Sequence, residues 1–272
     1  MKFSKVKKIT INEAKNLDII FLIDTSGSMS TELDAVKNSC INFADRIIKE
    51  NKSVLLGLIG FDIGGHRCRE EKINYQVRQL NTYTIGIWQL SSPSEFKQNI
   101  NTLSLGLFGG GGCYIADKNS VDIFPYVASS FTNPNHSKIL VLVSDEMGGV
   151  EGLPDIINIL KKDDIETYVM GVPGQQGAHE SIAKLTGGKF WDIIKSRGEQ
   201  DFAELLYLAA DEITNSIAKK MRDSGLSEEF ISSKLPIEQR RKAIIKFGEK
   251  KKSAIKFGKI KKHVIKFGNT QE

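Results

Sequence analysis

Five consecutive apolar residues, Ile19-Ile20-Phe21-Leu22-Ile23, run straight into Asp24-Thr25-Ser26-Gly27-Ser28-Met29. This junction constrains the fold more than any other segment. The apolar run is too short to cross a bilayer. It reads as a strand buried on both faces, as in a parallel sheet between helices. The polar residues then fall at the carboxyl edge of the sheet, where open α/β sheets place their ligands. Asp24, Ser26 and Ser28 alternate, so one turn can aim three oxygens at a point. An oxygen-only donor set suits a hard cation.

The rest of the chain repeats this alternation of buried strand and amphipathic helix. Residues 54–61, 139–143, 165–172 and 190–193 read as further strands, and 83–90, whose alternation is only partial, as an edge strand. Leu33, Val36, Cys40, Phe43, Ala44 and Ile47 recur at helical spacing after a Ser30 or Thr31 cap. Helices are also expected from Pro93 onward, over 115–130 and 153–161, and over 182–185 before Gly187-Gly188. A long amphipathic helix over 202–221 carries Leu205, Leu206, Leu208, Ala209, Ile213 and Ile217 on its apolar side. Strands alternating with helices predict an α/β, doubly wound, mainly parallel sheet with helices on both faces. The expected organisation is an extension over 1–13, one domain over 14–222, a linker over 223–241 and a flexible basic tail over 242–272.

The motif resembles the metal-ion-dependent adhesion site, D-x-S-x-S, of von Willebrand factor A (vWA) domains. Asp145 closes the 139–143 run and matches the family's distal aspartate. Between the two lies Gly109-Gly110-Gly111-Gly112-Cys113, where the family carries a glycine-rich loop with a metal-binding threonine. The resemblance implies a vWA/Rossmann-like fold and one Mg²⁺ (or Mn²⁺ or Ca²⁺) held by Asp24, Ser26, Ser28 and Asp145. It also implies a protein partner whose acidic side chain completes the shell. Cys113 departs from the threonine, and a soft thiol is a poor ligand for Mg²⁺; Asp117 is the nearby candidate to compensate. The size and layout are similar to those of compact intracellular bacterial vWA proteins of tellurite-resistance and stress-response clusters. That likeness implies a cytoplasmic adaptor or scaffold with a kinase, phosphatase or AAA+ ATPase partner.

Enzymatic readings find little support. The glycine loop lacks the Lys-Ser/Thr of a phosphate-binding loop, Gly-x-Ser-x-Gly is absent, and His66, His136, His179 and His263 show no metal spacing. The three cysteines, Cys40, Cys68 and Cys113, form no disulfide framework and fit a reducing cytosol. No signal peptide and no membrane span are expected.

The formal charge of +5 hides a split. Residues 240–272 hold 12 Lys/Arg against 2 Asp/Glu (+10), leaving 26 against 31 (−5) in residues 1–239. Within the basic segment, Ile-Lys-Phe-Gly recurs every ten residues: Ile245 to Gly248, Ile255 to Gly258 and Ile265 to Gly268. Ile245, Phe247, Ile255, Phe257, Ile265 and Phe267 are the expected partner-binding side chains of a multivalent docking segment. Two alternatives stay open: binding of nucleic acid or an anionic surface through lysines and phenylalanines, and a role for the repeats as substrate of a modifying enzyme or protease.

Overall fold

The computed structural model describes residues 16–50, 54–63, 75–80, 83–108, 120–146, 148–193, 199–223 and 225. Strand β1 (Leu17–Asp24) is buried along its whole length. Its side chains alternate between two helical layers. Ile20 and Leu22 join a core with Phe124, Val127, Ile156, Leu160 and Ile182. Phe21 points the other way, its ring 5.3 Å from those of Phe43 and Phe96. The unbroken apolar run from Ile19 to Ile23 is therefore required by the two covered faces, with the buried carboxylates Asp18 and Asp24 flanking it.

Six more strands complete the sheet: β2 (Val54–Ile63), β3 (Gln76–Gln79), β4 (Tyr83–Ser91), β5 (Ser137–Ser144), β6 (Ile165–Gly171) and β7 (Phe190–Asp192). Their order is β3-β4-β2-β1-β5-β6-β7. β2, β1, β5, β6 and β7 pair in parallel, while β4 runs antiparallel to both β2 and β3. The helices are α1 (Leu33–Glu50), α2 (Pro93–Thr102), α3 (Phe124–Ser130), α4 (Leu153–Lys162), α5 (Ala178–Thr186) and α6 (Glu199–Asp223). The result is a mixed, mostly parallel α/β sheet. From β1 the chain moves to β2 on one side and later to β5 on the other, so the strand order reverses at β1. Ligands of such sheets gather outside the carboxyl ends at that reversal.

Several sequence expectations need correction. β4 is an inner strand, with its first six residues buried, and the edge belongs to β3. β3 reads Gln-Val-Arg-Gln, short and largely exposed, and has no apolar pattern to betray it. Residues Gly27–Thr31 form a 3-10 turn rather than a simple helix cap, pinned by fully buried Met29. Ser120–Ile123 is likewise a 3-10 turn ahead of α3, and residues 115–119 lie outside the described residues. α5 begins at Ala178, four residues earlier than expected, because Ala178 and His179 are themselves buried. On α6 the buried stripe is Ala209, Ala210, Ile213, Ile217 and Ala218, which leaves Leu208 39% exposed. Small alanines let α6 lie close, and the larger Leu208 falls outside that stripe.

One glycine is fixed by close approach. A Cβ on Gly188 would lie 2.0 Å from the Thr167 carbonyl oxygen, a backbone atom that cannot swing away. Gly188→Ala is expected to lower stability by roughly 2–3 kcal/mol through forced backbone displacement. A urea midpoint unchanged from wild type would show that the turn relaxes freely.

Candidate metal centre

β1 and β5 are parallel neighbours that end side by side in Asp24 and Ser144. Asp24 is fully buried. Its Oδ2 accepts from Ser144 Oγ at 2.8 Å, and its Oδ1 accepts from the Ser26 backbone N–H at 2.8 Å. One carboxylate thus ties together the two loops that leave the sheet. Thr25 fixes the first loop from the other side: its N–H and hydroxyl both donate to the Phe61 carbonyl on β2, at 2.9 and 3.0 Å. The Thr25 carbonyl accepts from Gly106 N–H at 2.8 Å, which brings in the loop after α2.

Above Asp24 the hydroxyls form a short relay. Ser26 Oγ and Ser28 Oγ share a hydrogen bond at 2.8 Å; because Ser28 Oγ gives its single proton to Asp145 Oδ1 at 3.0 Å, Ser26 is the donor in that pair. Glu146 Oε1 lies 3.4 Å from the same Ser28 hydroxyl. The Glu146 N–H donates to Ser144 Oγ at 3.2 Å. The structure therefore brings Asp24, Ser26, Ser28 and Asp145 into one hydrogen-bonded cluster. Cys113, Asp117 and the six tail residues from Ile245 to Phe267 lie outside the described residues. Sequence reasoning passed over Ser144 and Glu146. Both flank Asp145, and a second polar cluster at a strand end was the available signal.

Electrostatics set the character of the cluster. The Asp145 carboxyl is pushed up to about 6, first by burial and then by the Asp24 and Glu146 charges; the Ser28 hydroxyl pulls the other way. Glu146 is also raised, by burial and then by Asp24. Among the described residues, the charges that raise Asp145 are the carboxylates of Asp24 and Glu146. Among the described residues no group of three or more His, Cys, Asp or Glu is arranged as a metal cage. The donor set here is instead mixed: two serine hydroxyls with carboxylates around them. Hard hydroxyl and carboxylate oxygens gathered in this way fit a hard divalent cation.

A family model, the von Willebrand factor type A domain, matches residues 18–192. The chain belongs to this family. Similar solved structures include a von Willebrand factor type A protein from Catenulispora acidiphila, at 16% identity and TM-score 0.50, covering 74% of this chain and 43% of that one. The pilus adhesin SpaC from Lactobacillus rhamnosus GG, in its open conformation, is 17% identical at TM-score 0.50, covering 74% of this chain and 30% of the adhesin. Proximal thread matrix protein 1 of the mussel byssus is 18% identical at TM-score 0.50, with 73% and 48% covered. The matches span less than half of each of those chains, and at such identities they show the fold alone. Comparison with curated protein sequences finds no match.

Proposed function

We propose that this protein is a metal-dependent protein-interaction module, with Asp24, Ser26, Ser28 and Asp145 forming a metal-ion-dependent adhesion site. The observation that carries the reading is the relay from Ser26 through Ser28 to Asp145, set over the buried Asp24. A bound Mg²⁺, Mn²⁺ or Ca²⁺ would act as a Lewis acid that attracts an acidic side chain of the partner. Ser26 and Ser28 would hold such an ion with their hydroxyl oxygens and Asp145 with its carboxylate, while Asp24 would supply negative charge from beneath and orient the loop. Cys113 or Asp117 would stand on the glycine-loop side.

Binding rather than catalysis is proposed because the hydroxyls and carboxylates make a set of hard oxygens, the donor chemistry of a cation site. Leu105, in the loop held against Thr25, and Val150, in the loop after Glu146, are 40% and 37% exposed. A cavity of about 420 Å³ lined by Ser92, Ser94, Glu95 and Asn99 lies at the start of α2 and shares no residue with the cluster.

The finer reading is an adaptor or scaffold of an intracellular bacterial multi-component system, cytoplasmic and stress-linked, with a kinase, phosphatase or AAA+ ATPase as partner. Cys40, a buried free thiol whose pKa burial pushes up, suits a reducing compartment. Among the described residues no helix is long and apolar enough to cross a membrane. The three Ile-Lys-Phe-Gly repeats serve in this reading as a multivalent docking or modification segment.

The central test is capture of partners from native lysate with and without chelator. Release of a dominant partner by chelator supports the reading, and identical recovery in both arms sinks it. For the tail, Phe247, Phe257 and Phe267 all changed to Ala should abolish tail-dependent binding at unchanged charge. Retention in that variant, with loss when the tail lysines become Gln, would make the tail a polycation that suits nucleic acid.

A further inference from the structure

We propose that Glu146 is an additional ligand supplied by the chain itself, which caps the cation site until an acidic partner group displaces it. The inference rests on the metal-dependent reading above.

Two contacts set the position of Glu146. Its backbone N–H donates to Ser144 Oγ at 3.2 Å, and Ser144 Oγ donates in turn to Asp24 Oδ2 at 2.8 Å. The buried carboxylate that orders the serine loop therefore also orders the backbone that carries Glu146. From that anchor the side chain reaches Ser28, placing Oε1 3.4 Å from the Ser28 hydroxyl. The same hydroxyl already donates to Asp145 Oδ1 at 3.0 Å. Two carboxylates from adjacent residues thus converge on one serine. Like charges gathered in this way are costly without a cation between them and favourable with one.

What the occupied site accepts then depends on Glu146. Asp24, Asp145 and Glu146 bring three carboxylates to one divalent ion, and the Glu146 side chain stands where an incoming acidic group would approach Ser28. An incoming carboxylate meets repulsion while Glu146 stays in place. Glu146 is only partly buried, so its carboxylate can swing outward and vacate its position. The chain's own glutamate and a partner's acidic group then compete for one place, which raises the threshold for partner binding.

Glu146→Gln tests this in the full chain, since the amide keeps the size and can still bond Ser28. Calorimetry with Mn²⁺ should show an affinity about ten-fold below wild type, or ~1.4 kcal/mol. Acetate, as probe for a partner carboxylate, should bind the Mn²⁺-loaded variant several-fold more tightly than the loaded wild type, read by water-proton relaxation. In chelator the variant should melt above wild type, because one of three clustered charges is gone. Wild-type Mn²⁺ and acetate affinities in Glu146→Gln, alongside loss of Mn²⁺ binding in Asp145→Asn, would overturn the inference and leave the metal reading standing. Weaker Mn²⁺ binding with unchanged acetate affinity would overturn the capping role. No Mn²⁺ binding by wild type would overturn both.

Discussion

Asp24→Asn is expected to lower cation affinity at least ~100-fold, about 2.7 kcal/mol, while the chain stays folded. The amide keeps an oxygen to accept from the Ser26 N–H and a polar group to face Ser144, so both loops keep their tie. What disappears is the negative charge at the base of the site. Asp24→Ala should behave differently. It also loses cation binding, but it strands the Ser26 N–H and the Ser144 hydroxyl in a fully buried position. Leaving buried polar groups without partners costs ~1–3 kcal/mol each. That cost outweighs the relief of repulsion with Asp145. Calorimetry for the ion and thermal melts in chelator separate the two variants. Asp24→Asn with undiminished affinity would reduce Asp24 to a structural role and remove the basis for the site.

The strands that form the middle of the sheet were legible because burial on both faces demands unbroken apolar runs. β1, β2, β5 and β6 carry such runs, and each falls within a few residues of where the sequence places it. The same logic failed at the edge. β3 is held by pairing to β4 alone and needs no apolar side chains, so Gln76–Gln79 looks like loop. Partial alternation in β4 pointed to an edge, but its burial comes from Phe108 and Tyr75 packed over it, contacts distant in sequence. A Cβ on Gly86 would meet the Phe108 ring at 2.4 Å, so the strand is thinned there to admit that ring.

The cluster was legible in a different way. Alternating oxygens after a buried strand announce convergence, and Ser26 and Ser28 do converge. The partner loop could be located only through Asp145, because the pairing of β1 with β5 spans more than a hundred residues. Ser144 and Glu146 acquire their contacts from that pairing, and the polar cluster they form around Asp145 at a strand end was the one local signal for them. The polar pair at the other end of β1, buried Asp18 with partly buried His136, was equally hidden. His136 Nδ1 donates to Asp18 Oδ1 at 2.8 Å, joining residues 118 positions apart.

Acidity should move the metal-free and metal-loaded protein in opposite directions. In the metal-free protein the Asp145 carboxyl is raised from its ordinary 3.8 to about 6. Between those two values the folded chain binds more protons than the unfolded chain, so stability falls as pH rises. The contribution is fully present below about 3.8 and lost as pH passes through about 6. The full shift would correspond to ~3 kcal/mol. Asp145 is only half-buried, and solvent screening reduces the expected loss to about 1 kcal/mol. Glu146 acts in the same direction, and so does Asp18, whose carboxyl burial also raises. Asp145→Asn isolates the one group: in chelator its stability should lie above wild type at pH 7.5 and converge with it near pH 4. With a saturating cation the slope reverses, because the ion requires the carboxylate and competes with the proton. One displaced proton costs about ten-fold in affinity per pH unit below 6, so roughly 100-fold is lost between pH 6 and pH 4. Chemical denaturation across that range, with and without Mn²⁺, measures both limbs. Parallel curves in the two conditions would mean that Asp145 does not hold the ion.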